Sequence, residues 1–127
     1  MLVIDGQTGQ VICVHEAKGS VHDFEIFKQS GIHILDDILL VGDKGFQGIC
    51  DLHPFSLIPH KKPKNGTLTA EQKAFNSSLS KFRIQIEHVN RRIKRFKILQ
   101  LRYRNKQKKH LLRVSLICGI YNHELEF

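Results

Sequence analysis

The 127-residue chain is predicted to fold as one α/β domain, in which a mixed sheet is flanked by helices. Three features predict this class: two β-branched runs around a Gly-bearing turn, a continuous apolar run near residue 40, and long stretches of apolar residues at helical spacing after residue 66. With 41% apolar residues, the sequence can fill a single modest core.

The first half of the chain contains the predicted strands. Residues 2–5 and 10–15 flank the turn and predict a β-hairpin. Ser20, with Asp23 three residues later, is expected to cap a short helix that ends at Ser30-Gly31. The run from Ile38 to Val41 favours a strand buried on both faces.

The second half is mainly helical. After a short strand at residues 55–59 and a polar loop at 60–66, Thr69 and Gln72 form a capping box. The helix that they open is expected to break near residues 76–78 and to continue to about Phe96. Its predicted buried stripe consists of Phe82, Ile86, Val89, Ile93 and Phe96. A last helix is expected from about Lys108 to His123, with a buried side formed by Leu111, Leu112, Leu116 and Ile120.

Charge is divided unequally between the two halves. Residues 1–60 carry a net charge of −5 and residues 61–127 a net charge of +13. A basic region of this density indicates a surface that binds nucleic acid, although a solvated charged surface is the alternative. The candidate nucleic-acid contacts are Arg91, Arg92, Arg95, Arg102, Arg104, Lys106, Lys108 and Lys109.

Cysteine usage and hydropathy point to the cytoplasm. Cys13, Cys50 and Cys118 are odd in number and widely spaced, which is typical of reduced thiols. No apolar run approaches the roughly 20 residues of a membrane span, and no signal peptide is evident. Cys50, His53 and His60 lack the spacing of a zinc site, so no such site is predicted.

Two acidic residues are candidates for chemistry. Asp43 follows the apolar run between glycines, at a strand end where sites form in α/β folds. Glu87 is the single acid among thirteen basic residues between Lys81 and Arg113. An ordinary turn aspartate and a helical partner of Arg83 are the simpler interpretations. Together, however, two carboxylates beside a basic surface suit Mg²⁺ acting on phosphodiesters.

Three segments carry a family resemblance. The sequence resembles DDE-type insertion-sequence transposases of bacteria and the related Harbinger-like group in residues 19–23 (GSVHD), 40–48 (LVGDKGFQG) and 68–99. In that family the acid of the Gly-Asp-Lys-Gly segment is the second catalytic Asp. A Tyr(2)Arg(3)Glu(6)Lys pattern carries the catalytic Glu, which Arg83, Glu87 and Lys94 match, with Ser80 at the Tyr position.

The resemblance implies a ribonuclease H-like fold, here truncated at the N-terminus because the strand bearing the first catalytic Asp is missing. Asp5 lies at the hairpin turn and is not expected to replace it. Residues 1–127 are then all part of one catalytic domain. Its hairpin and short helix occupy residues 1–36, the catalytic strand and the strand after it occupy residues 37–66, and the catalytic and C-terminal helices occupy residues 67–127.

The implied reaction is DNA strand cleavage and strand transfer that depends on Mg²⁺ or Mn²⁺. Asp43 and Glu87 would hold the metal, with carboxylates within about 8 Å, the reach of ions shared in two-metal sites. Arg83 and Lys94 would orient Glu87 or neutralise phosphate charge. The isolated chain is expected to be inactive and to require an upstream transposase segment, with DNA as partner and a homo-oligomer possible.

Two alternatives remain at this point. The chain can be a basic nucleic-acid-binding module without catalysis, or a structural fragment that binds no nucleic acid. The sequence alone does not separate a decayed remnant from the downstream product of two joined reading frames.

Overall fold

The computed structural model describes residues 1–100 and 109–126. These residues form two compact units, Met1–Ala17 with Gln85–Phe127, and Lys18–Ile84. The elements in chain order are β1 (Leu2–Ile4), β2 (Val11–Val14), α1 (Asp23–Ser30), β3 (Leu40–Val41), a 3₁₀ turn (Lys44–Phe46), α2 (Ile49–Leu52), β4 (Ser56–Leu57), α3 (Ala70–Ile93), α4 (Lys97–Gln100) and α5 (His110–Leu125). The mixed α/β class is therefore confirmed.

The first unit begins with the predicted hairpin. Strands β1 and β2 pair antiparallel, with Leu2 opposite Val14 and Val3 opposite Cys13. The Asp5 side chain organises the turn, because its Oδ1 accepts hydrogen bonds from the backbone N–H of Gln7 at 2.6 Å and of Thr8 at 2.9 Å. Asp5 is thus a turn residue, as expected.

Helix α5 packs on β2 through polar as well as apolar contacts. The Asn122 side chain bonds both backbone groups of Val11, with Oδ1 accepting from the N–H at 2.8 Å and Nδ2 donating to the carbonyl at 2.8 Å. The Tyr121 hydroxyl donates to the Gly9 carbonyl at 3.3 Å. These bonds fix which face of α5 meets the hairpin.

The predicted buried side of α5 is wrong. Leu112, Leu116 and Ile120 are 67%, 65% and 41% exposed, and Leu111 is half-buried. The buried side chains of this helix are Ile117, Cys118 and Tyr121. Because apolar residues lie nearly all round α5, periodicity could not select the inner face.

The end of α3 and the short helix α4 complete the first unit. Val89 and Ile93 are buried with Val11 and the inner face of α5, and Ile98 and Leu99 of α4 pack against this cluster. The predicted stripe is correct at its centre and wrong at its ends. Phe96 is 37% exposed, and Phe82, which belongs to the other unit, is 56% exposed.

The second unit opens with α1, whose start differs from the prediction. His22, not Ser20, is the N-cap, and it makes no side-chain capping bond. The helix ends where expected, because Gly31 adopts the left-handed conformation at φ 63 and donates its N–H to the Lys28 carbonyl. Buried Phe27 meets Phe46 edge to face at 6.5 Å between ring centroids.

A two-residue parallel pair forms the sheet of this unit. Leu40 lies opposite Ser56 and Val41 opposite Leu57, so both predicted strands exist but are shorter than expected. The prediction of a strand buried on both faces is wrong, since Ile38 and Leu39 are 48% and 42% exposed. In the described ranges the strands form two separate pairs, one antiparallel and one parallel.

Helix α3 begins with the predicted capping box. The Thr69 hydroxyl accepts from the Gln72 N–H at 3.2 Å, and the Gln72 side chain accepts from the Thr69 N–H at 3.1 Å. The predicted break near residues 76–78 is absent from the helix. Ser78 donates its hydroxyl to the Ala74 carbonyl one turn back, so this polar side chain is satisfied without interrupting the helix.

No helix in the described part of the chain is both long and apolar enough to span a membrane.

Candidate active site and nucleic-acid interface

Asp43 lies directly after β3, at a backbone turn held by β4. The N–H of Gly42 donates to the Leu57 carbonyl at 2.9 Å, which fixes the strand end. Asp43 has an extended backbone and caps the 3₁₀ turn, with its Oδ1 accepting from the Gly45 N–H at 2.7 Å. The side chain is half-buried. A strand end thus presents one carboxylate with one oxygen already oriented by the backbone.

Asp23 approaches the same turn. An alanine Cβ at Gly45 would lie 2.5 Å from the Asp23 Oδ2 and 3.1 Å from the Asp43 Oδ1. The two carboxylates therefore converge on a single point, which is open only because residue 45 has no side chain. The sequence interpretation of Asp23 as a helix-start residue is correct as far as it goes, since it opens α1. A site-facing role for Asp23 was the alternative interpretation, and the sequence did not indicate the convergence of Asp23 and Asp43 at Gly45.

These residues fit a hard divalent cation. Mg²⁺ takes carboxylate oxygens and usually keeps several water ligands, so one or two protein carboxylates suffice to hold it. Two like charges this close also repel each other, and a cation beside them relieves that repulsion. Among the described residues, no three His, Cys, Asp or Glu side chains cluster as metal ligands.

The three residues considered for zinc have other roles. The buried His53 has its Nε2 at 2.7 Å from the Ile38 carbonyl oxygen, and His60 contacts the Phe75 ring at 5.1 Å between centroids. The Cys50 thiol donates to the Ser56 carbonyl at 3.8 Å. Each of these three side chains therefore contacts a group other than the remaining two.

Glu87 borders a polar pocket at the C-terminal end of α3. The pocket has a volume of about 570 Å³ and is lined by Glu87, Asn90, Arg91, Lys94, Arg95 and Gln100. Four of the predicted site residues are thereby brought together: Glu87, Arg91, Lys94 and Arg95. Since cations outnumber the single acid, the pocket favours an anionic ligand.

Arg92 faces a different concavity from its neighbour Arg91. A second pocket of about 320 Å³ is lined by Arg92, Arg95, Phe96, Tyr121 and Glu124. Of the candidate nucleic-acid contacts, Arg91 thus lines the first pocket, Arg92 the second, and Arg95 both. Lys109 is exposed just before α5, whereas Arg102, Arg104, Lys106 and Lys108 lie outside the described residues.

The two predicted metal ligands belong to different units. Asp43 and Arg83 lie within Lys18–Ile84, whereas Glu87 and Lys94 lie within the unit that includes Gln85–Phe127. The expected separation of about 8 Å, the reach of a shared two-metal site, stays a prediction.

Three side chains have pKa values shifted by their surroundings. Backbone N–H groups of Thr8 and Gln7 lower the pKa of Asp5, and the Lys28 ammonium lowers the pKa of Glu25. Burial raises the pKa of the Cys118 thiol, which keeps it protonated and unreactive. The three cysteines are free thiols, as predicted.

Comparisons with known proteins agree on one relationship. A family model described as "DDE superfamily endonuclease" matches residues 1–122. The "Probable transposase for insertion sequence element IS702" of Microchaete diplosiphon is 48% identical over 124 residues, which is 98% of this chain and 45% of that protein. The chain thus spans less than half the length of this relative. No solved structure matches.

Proposed function

This chain belongs to the DDE superfamily endonuclease family of insertion-sequence transposases, and we propose on that basis that it contributes to metal-dependent DNA strand cleavage and strand transfer. The observation that carries the proposal is the family match over residues 1–122, which includes Asp43, Glu87 and the pocket beside Glu87. The ribonuclease H-like fold, the assignment of residues 1–127 to one catalytic domain and the cytoplasmic location are parts of the same proposal.

Asp43 and Glu87 are the proposed ligands of Mg²⁺ or Mn²⁺. The support for Asp43 is its position after β3, where the Gly45 N–H orients one carboxylate oxygen and Asp23 brings another oxygen nearby. The support for Glu87 is its match to the Glu of the Tyr(2)Arg(3)Glu(6)Lys pattern. The cations that line the pocket beside it suit the phosphate of a substrate and not the metal itself. When bound, the metal supplies Lewis-acid activation of a phosphate and lowers the pKa of a bound water.

The basic residues are proposed to stabilise negative charge on the DNA phosphates. Lys94 and Arg91 beside Glu87 can neutralise the charge that develops on a phosphate during displacement. Arg83, one helical turn before Glu87, is proposed to orient the Glu87 carboxylate. DNA is therefore the proposed partner, and the remainder of a transposase is the proposed source of the first catalytic Asp.

A chimaera tests the proposal in a complete transposase. The chain replaces the matching segment of the 48% identical relative, and the purified protein is assayed for nicking of supercoiled plasmid with Mg²⁺ or Mn²⁺. We expect Asp43→Asn and Glu87→Gln to reduce nicking by at least a thousandfold, on the order of the loss of a whole metal-dependent step. Asp51→Asn, which removes an exposed carboxylate from α2, serves as the matched control and keeps activity.

The same assay addresses the second candidate, a basic nucleic-acid-binding module without catalysis. The net charge of +13 over residues 61–127 favours that candidate independently of any carboxylate. A chimaera that binds plasmid but does not nick it with Mg²⁺ or Mn²⁺ leaves only the binding module. Nicking that is unchanged in Asp43→Asn contradicts the role of Asp43.

A further inference from the structure

Asn65 and Gly66 form an Asn-Gly pair in the polar loop between β4 and α3. Lys64 and Asn65 make a turn in this loop, and the Asn65 side chain is exposed. We propose that Asn65 is a site of spontaneous chemical modification, at which the side-chain amide is lost through attack by the backbone nitrogen of Gly66. The proposal is independent of the proposed function, since the reaction requires neither a metal nor DNA.

The reaction consumes only water. Hydroxide removes the proton of the Gly66 backbone nitrogen, which then bonds to the side-chain carbonyl carbon of Asn65. The bond from that carbon to the amide nitrogen breaks, and ammonia leaves with a proton from water, which regenerates the hydroxide. Water opens the resulting succinimide ring at either carbonyl and gives aspartate or isoaspartate. A glycine after the asparagine favours the attack, because it has no Cβ to crowd the nitrogen.

The structure leaves both reacting groups accessible. Among the described residues, no hydrogen bond holds the Gly66 N–H or the Asn65 side chain. The loop is fixed before this pair by Asn76, whose Oδ1 accepts from the His60 N–H at 2.7 Å and whose Nδ2 donates to the His60 carbonyl at 3.1 Å. It is fixed after the pair by the capping box at Thr69. The loop is therefore anchored at its ends and not at the Asn-Gly pair.

Packing within the turn explains why a glycine follows Asn65. A Cβ at Gly66 would lie 3.1 Å from the Pro63 Cγ, which is tighter than most Cβ contacts. Gly66 does not have a positive φ, so the preference for glycine comes from the proline ring and not from the backbone conformation. The same feature that closes the turn thus leaves the attacking nitrogen uncrowded.

The other asparagines in the described ranges are protected by their surroundings. Asn76 and Asn90 lie within α3 and Asn122 lies within α5, where the N–H of the following residue donates to a helix carbonyl. The side chains of Asn76 and Asn122 also bond both backbone groups of His60 and Val11, respectively. These asparagines are therefore internal controls for Asn65.

The modification changes the charge of the loop. It creates a carboxylate next to three exposed cations, Lys61, Lys62 and Lys64. The amide is neutral and an exposed carboxylate is ionised at neutral pH, so the net charge of +8 falls by one unit. The isoaspartate product also lengthens the backbone by one methylene. The charge of this loop therefore depends on the age of the molecule and not on an enzyme.

The experiment incubates the purified 127-residue chain at neutral and at mildly alkaline pH and follows each asparagine by peptide mapping with mass spectrometry. We expect Asn65 to exchange its NH₂ group for OH, faster at the higher pH, while Asn76 and Asn122 keep their amides. On a cation exchanger the product should elute earlier, at the position of Asn65→Asp, and isoaspartate methyltransferase should label it. Asn65→Gln is the matched control, because its longer side chain closes the corresponding ring far more slowly, and it should give no early-eluting species.

A second incubation, in urea, tests whether the loop leaves the pair accessible. Asn76 and Asn122 should begin to lose their amides in urea, whereas Asn65 should react at a rate close to that in the folded chain. The Gly66 N–H should also exchange rapidly with deuterium in the folded chain, since no native hydrogen bond protects it. Retention of the Asn65 amide for as long as that of Asn76 in the folded chain overturns the proposal. An Asn65 rate far below that in urea, or an equal yield of early-eluting species from Asn65→Gln, also overturns it.

Discussion

Replacement of Gly45 by alanine tests the convergence of Asp23 and Asp43. The new Cβ would lie 2.5 Å from the Asp23 Oδ2, closer than real Cβ contacts allow, and 3.1 Å from the Asp43 Oδ1. Gly45 does not have a positive φ, so the backbone itself accepts alanine. The substitution therefore acts through the two carboxylates and not through backbone strain.

The expected cost in stability is small. Asp23 is exposed and can rotate away from the added methyl group, at about 0.5–1.5 kcal/mol for a displaced rotamer. The loss of chain entropy in the unfolded state offsets about 0.4–1 kcal/mol of this. The net change lies within about 1 kcal/mol, which corresponds to less than about 8 °C in Tm for a domain of this size.

The expected effect on metal binding is much larger. An ion held between Asp43 and Asp23 would lose the Asp23 oxygen, because the added methyl group displaces that oxygen by more than the roughly 0.2 Å tolerance of metal–ligand distances. We expect Mn²⁺ affinity, measured by water-proton relaxation, to fall by about ten- to a hundredfold, as for lost supporting contacts in metal sites.

Gly19→Ala is the matched control, because a Cβ there meets nothing within 4 Å. Its Mn²⁺ affinity should equal that of the wild-type chain. Unchanged Mn²⁺ affinity in Gly45→Ala would show that the two carboxylates do not share an ion.

Two other predictions concern the hairpin unit. Asn122→Ala removes both bonds to the Val11 backbone and should lower the free energy of unfolding in urea by about 1–3 kcal/mol, whereas Ser115→Ala, on the exposed side of α5, should not. The pKa of Asp5 is lowered on folding, so its contribution to stability is present above about pH 3.8 and is lost as the pH falls through the lower folded-state pKa. Asp5→Asn should therefore weaken the acid dependence of Tm, and an unchanged dependence would contradict this role.

The elements that local patterns specify could be predicted from the sequence. The hairpin, the capping box at Thr69 and the stop at Gly31 each depend on residues close together in the chain. The position of Asp43 at a strand end could also be predicted, because Gly42 and Gly45 follow an apolar run.

What depends on distant contacts could not be predicted. The inner face of α5 is selected by Tyr121 and Asn122, which bond to Gly9 and Val11 more than a hundred residues earlier. The separation of Arg91 from Arg92 into two pockets depends on where α4 and α5 lie, which no periodicity within α3 encodes. The approach of Asp23 to Gly45 likewise joins segments that local patterns treat separately.

The parallel pairing of β3 with β4 has a consequence for the order of events during synthesis. The Leu40 and Gly42 amides bond to the carbonyls of Phe55 and Leu57, so the strand end before Asp43 is fixed by chain that leaves the ribosome later. A parallel pair cannot close through a tight turn, and the intervening residues must first cross over. The bond from the Gly45 N–H to Asp43 is local and can form early, whereas the strand before Asp43 is fixed only after translation has passed Leu57.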